Sequence, residues 1–232
     1  MGSFLPAVGR LTLYRKVGYF AIQSTGTLAK GTGMSAVTAT RTSAGGTPRD
    51  LAVTGLILGI AAVLWFGWGQ AQPPSGWALP LNIGTFAAIV VAAGAGGVVA
   101  SFRRGATAMA DPRVRRGYGI TVGVEVAACG LGAAGLGLAR DSHYIAPWIL
   151  LVVGVHFVPL GRLFASFDLV WAGFALSAVA IAGAVTGVVS DVAPSAVTGA
   201  FGGLVCIACA AICLRRALRR GRGLSKGGLR NG

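Results

Sequence analysis

The sequence predicts an all-α fold, a polytopic membrane protein built as a six-helix transmembrane bundle. Three observations predict it. Of 232 residues, 54% are hydrophobic and 11% are charged, against about a quarter charged in soluble domains, and the mean hydropathy is +0.73. The apolar residues gather in six runs, 51–69, 79–102, 118–139, 144–163, 169–189 and 193–214. Each is close to or above the roughly 20 residues that cross about 30 Å of hydrocarbon at 1.5 Å per residue. Positive charge, finally, alternates between the connections, so that with both termini on one side nineteen of the twenty Lys and Arg residues share that side. The positive-inside rule makes it the cytoplasmic side.

Residues 1–50 carry Arg10, Arg15, Lys16, Lys30, Arg41 and Arg49 with no acid before Asp50, and are rich in Gly, Ser and Thr. The composition predicts a disordered, basic, cytoplasmic segment. An upstream extension with the true start at Met34 and an organellar transit peptide are competing readings. Myristoylation is excluded by Pro6, where the motif requires Ser or Thr.

Asp50 stands where an N-cap for the first span is expected. The second span repeats Gly84, Ala88, Ala92, Gly96 and Ala100 every four residues, and Gly55/Gly59 and Gly199/Gly203 repeat the device in the first and last spans. Such stripes let helix backbones approach closely, within the bundle or across a homodimer. The connection between the second and third spans holds Arg103, Arg104, Arg113, Arg115 and Arg116, whereas the next connection holds only Arg140. Trp65, Trp68, Trp77 and Trp148 then fall at the outer interface, where amphipathic rings concentrate. The six runs leave no room for a separate soluble domain. The tail at 215–232, with Arg215, Arg216, Arg219, Arg220, Arg222, Lys226 and Arg230, reads as a cytoplasmic topology signal or a contact for anionic lipid.

Polar residues inside the runs are few. Glu125 is the only carboxylate in the middle of a span and His156 the only imidazole. The short turn between their helices predicts antiparallel neighbours. Counted from that turn, the two residues differ in depth by about 3 Å. Each would be costly alone in hydrocarbon and tolerable as a pair. The pair reads either as a proton-sensitive or cation-coordinating site about 10 Å from the cytoplasmic face or as a structural interhelical hydrogen bond. Pro159, three residues past His156, frees the carbonyl of Val155 and suggests a kink beside the imidazole. Arg162 and Asp168 flank the turn between the fourth and fifth spans and are expected to pair as an inner boundary, with Asp168 also favoured at a helix N-terminus.

Cys206, Cys209 and Cys213 share one helical face and Cys129 lies on another span. All four sit in apolar runs, so no disulfide framework follows. No loop-borne ligand cluster supports a metal, and the expectation is no metal and no cofactor. A net charge of +14 would suggest nucleic acid on a folded surface; here the cations lie between hydrophobic runs, and no nucleic-acid partner is expected. No nucleotide-binding loop, HExxH, GxSxG or paired intramembrane aspartates occur, and no enzymatic activity is expected.

The segment HFVPLGRLF, preceded by Val-Gly and followed by an aromatic residue and Asp, resembles a stretch in small multi-helix bacterial membrane proteins that have no assigned activity. The likeness spans residues 148–173 and implies a bacterial inner membrane. The sequence-based expectation for function is small-solute or ion permeation through a polar site of Glu125 and His156. The alternative is a non-transporting scaffold or regulatory subunit assembling through small-residue helix faces. Expected partners are the lipid bilayer, anionic lipid at the tail, and a homo-oligomer or membrane-protein partner.

Overall fold

The computed structural model describes residues 46–228 apart from 104 and 106, with side chains described as far as residue 223. The readings of the first 45 residues, including disorder, a start at Met34 and a transit peptide, lie outside the described residues. Within these limits there are six long helices: α1 Pro48–Gly69, α2 Ala78–Ser101, α3 Pro112–Leu138, α4 Ile145–Leu163, α5 Phe167–Val189 and α6 Pro194–Gly228. Short 3-10 turns precede α3 (Ala108–Ala110) and α4 (Ser142–Tyr144). No strand occurs among the described residues. All six helices are long and apolar enough to cross a membrane, and the chain is a multi-pass membrane protein.

The start of α1 differs from expectation. Its N-cap is Thr47, not Asp50, and Asp50 sits at the third helical position, closing a capping box with Thr47 while Pro48 occupies the first turn. Thr-Pro-Arg-Asp satisfies the helix N-terminus better than an Asp cap would. Pro loses nothing where no amide partner exists, and the Thr and Asp side chains each serve an orphan amide. Asp50 also accepts from Thr107 Oγ1 at 2.7 Å and from the Ala108 amide at 3.0 Å, and Arg49 donates to the Gly105 carbonyl at 3.2 Å. The α2–α3 connection is thereby tied to the first turn of α1.

The last helix also runs further than the apolar run. It spans 35 residues, about 52 Å at 1.5 Å per residue, so the basic tail continues α6 as far as Gly228. Ala217 is fully buried with Ala52 and Val98, and Arg220 donates to the Gly46 carbonyl. The start of α1, the α2–α3 connection and the second half of α6 therefore meet at one basic end of the bundle.

α6 packs on α1, α5, α2 and α4, and α1 on α2; α5 joins α4 to α6, and α3 packs chiefly on α4. The core is formed by Ala62, Trp65, Phe66, Leu81, Ala88, Leu150, Leu176, Ala180, Ala200 and Cys206. Small residues set the close approaches. A Cβ on Gly59 would lie 2.9 Å from that of Ala92, and one on Gly154 would lie 2.8 Å from the carbonyl oxygen of Gly173. The stripes at Gly55, Gly59, Gly84, Gly199 and Gly203 all face atoms of neighbouring helices or of Phe66. They serve packing within the chain.

Candidate functional site

α3 differs from the other five helices in having no buried residue. It is held by the short connection to α4 and by contacts along one side. Trp148 of α4 reaches across to donate from its indole nitrogen to the Ala128 carbonyl of α3 at 3.1 Å. It lies over Gly132, where a Cβ would collide with the indole. Tyr118 of α3 meets Phe164, just past α4, edge to face at 6.3 Å between ring centroids.

Between these two anchors the helices separate into a groove of about 460 Å³, within the range of small-molecule sites. Ile120, Val124 and Ala128 line it from α3, and Leu151, Val152 and Val155 from α4. Its polar groups are Thr121, Glu125 and His156, with Pro159 at one end and Trp148 at the other. Every lining residue belongs to α3 or α4. Because α3 is the outermost helix, the groove opens sideways at the bundle's edge, away from the core.

Glu125 and His156 meet on this groove, His156 Nδ1 lying 3.3 Å from Glu125 Oε2. The His156 side chain is 6% exposed. The carboxylate side chain is 20% exposed. The distance is that of an ion pair, but the orientation is not that of a hydrogen bond, and Nδ1 is buried with no hydrogen-bond partner among the described residues. At 3.3 Å the two groups interact through charge without the alignment that a hydrogen bond requires. Glu125 likewise receives no hydrogen bond among the described residues. A carboxylate and an imidazole thus face one another at mid-helix without an aligned hydrogen bond between them. Thr121 Oγ1 donates within its own helix to the Gly117 carbonyl at 2.8 Å, which leaves its lone pairs free. Pro159 has no amide to give the Val155 carbonyl one turn earlier, and both residues line the groove.

The expected boundary pair of Arg162 and Asp168 is not formed. Asp168, in the first turn of α5, pairs with Arg216 of α6. The tight α4–α5 turn, with Ala165 at φ 48° and the Ser166 amide on the Gly161 carbonyl at 2.8 Å, leaves Asp168 to α6. Arg216 belongs to the run read from sequence as a tail; the helical extension of α6 carries it to Asp168. Trp148 and Thr121 as groove residues were also missed, because hydropathy marks one as an interface ring and the other as neutral.

Cys206 lies in the main core cluster and Cys213 is buried against Leu58 and Ala210, so these sulfurs pack as small apolar groups. On α3 most of the glycines face open space. A Cβ on Gly119, Gly123, Gly130 or Gly137 would meet nothing within 4 Å. With Ala127 and Ala134, also exposed, these positions recur at four- and three-residue steps along one outward seam.

The fold and site define a six-span membrane protein with one mid-span acid–imidazole contact at its edge. Compared with known protein families, curated proteins and solved structures, the chain matches none.

Proposed function

We propose that the protein is a permeation or transport protein of a bacterial inner membrane, in which Glu125 and His156 handle the solute. One observation carries this reading. The only mid-span carboxylate and the only mid-span imidazole come from two helices to 3.3 Å, on a groove of substrate size, with hydrogen-bonding capacity unused. Groups so costly in hydrocarbon are characteristic of ion and substrate pathways. Both termini and the basic end face the cytoplasm. The arginine-bearing connections gathered at that end support this orientation. Pro159, which has no amide to give the Val155 carbonyl, weakens α4 beside the imidazole, and the pair of Asp168 with Arg216 ties α5 to α6 at the cytoplasmic end. The tail arginines meet anionic lipid there.

The test is solute-driven proton movement in proteoliposomes containing wild type, Glu125→Gln or His156→Ala, with folding checked by thermal unfolding. Loss of flux in both variants with intact folding supports the reading; undiminished flux in both refutes it. The open seam of α3 favours a second reading, a non-transporting subunit that docks a partner helix or a second copy there. Gly123→Leu with Gly130→Leu would then abolish co-purification or self-association while leaving the monomer folded.

A further inference from the structure

The groove between α3 and α4 has features that narrow what it binds. Its walls are Ile120, Val124, Val152 and Val155, and its opening is sideways, so the ligand must be stable among lipid tails. Its polar floor offers the Glu125 carboxylate and, 3.3 Å from it, the buried Nδ1 of His156, which makes no aligned hydrogen bond among the described residues. No group of three or more His, Cys, Asp or Glu side chains gathers there or elsewhere among the described residues. A hard inorganic cation prefers six or more oxygen ligands; an ammonium needs only two or three acceptors and tolerates apolar walls around the rest of the molecule.

We propose that the Glu125–His156 groove binds a lipophilic organic ammonium ion, its N–H donors bridging the carboxylate and Nδ1 and its apolar body lying along α4 toward Trp148. This rests on the reading of that pair as the solute site and names its substrate class. Trp148 lies eight residues before His156, about 12 Å along the helix. With its indole N–H held by Ala128, the ring is a fixed aromatic end wall for that body. Charge selects the ligand. Glu125 is the only carboxylate in the middle of a span, and it stands on the floor of this groove. Affinity for an ammonium over its neutral analogue therefore comes from Glu125. The ammonium also supplies N–H donors to a carboxylate that receives no hydrogen bond among the described residues, which neither an acyl chain nor an apolar helix provides.

The experiment uses the full-length protein in phosphatidylcholine nanodiscs, titrated with monodansylcadaverine, a fluorescent primary ammonium, and with its uncharged N-acetyl derivative. Saturable binding of one ammonium per chain is expected, with the acetylated probe about tenfold or more weaker, the affinity worth of one charge-assisted hydrogen bond. Glu125→Gln should lose the preference and Glu125→Asp should retain it. Val152→Trp, which fills the groove while leaving both polar groups in the chain, should weaken both probes alike, and it serves if Glu125→Gln does not fold. Equal binding of the two probes, or a preference that survives Glu125→Gln, overturns the proposal; a lipid chain or partner helix would then be the occupant. Ammonium-selective binding without uptake into proteoliposomes keeps the ligand class and removes the transport reading. Flux lost in Glu125→Gln without ammonium selectivity does the reverse.

Discussion

α6 and α3 are both glycine-bearing helices of membrane-crossing length, and they use most of their glycines in opposite ways. On α6, a Cβ at Gly199 would meet the Trp65 carbonyl at 2.6 Å, and one at Gly203 would meet the Phe66 ring at 2.9 Å. On α3, the seam through Gly119, Gly123, Gly130 and Gly137 has nothing in reach. The first helix is the hub of the bundle and the second its margin, yet the margin carries the mid-span carboxylate. A packed core leaves no room for a ligand. An edge helix attached along one side can hold a polar group where a lipid-soluble molecule reaches it.

The contrast breaks most visibly by substitution. Gly199→Leu should cost over about 3 kcal/mol and abolish the folded, monodisperse species on size exclusion, whereas Gly130→Leu should leave the unfolding midpoint unchanged. Equal effects would mean that α3 is packed as α6 is. Gly132→Ala comes next. It forces Trp148 off its place and breaks the bond to the Ala128 carbonyl, at about 1 kcal/mol, read as loosened α3 in hydrogen exchange of its backbone amides. Thr47→Ala removes the capping box that seats α1 at the basic end and should lower stability by about 1 kcal/mol, visible in a thermal scan. Asp168→Asn, which loses Arg216 across a contact 45% exposed on each side, should cost less than about 1 kcal/mol and less still at high salt.

The same contrast shows how far the sequence could be read. The six spans were legible because hydropathy and length state the solvent directly, and the α3–α4 pairing followed from the short turn after Arg140. The place of α3 at the edge was not legible. Lipid tails are as apolar as Leu side chains, so Val124, exposed at 64%, and Leu176, fully buried, carry the same signal. Glycine periodicity behaved likewise: it announced close approach without saying whether a neighbour is present. Asp50 was misassigned as a cap because Thr47 and Pro48, outside the apolar run, held the better chemistry. Arg162 was paired with Asp168 by proximity along the chain, when a helix that outran its hydrophobic segment brought Arg216 closer.

The central claim is that Glu125 and His156 act on one another across the α3–α4 groove, and nitrogen NMR of the imidazole tests it most directly. The chain has two histidines, so in a His143→Gln background with ¹⁵N-histidine every ring signal belongs to His156. The account predicts that Glu125→Gln shifts the Nδ1 resonance while the unfolding midpoint holds. Identical ring spectra with and without the carboxylate would contradict it.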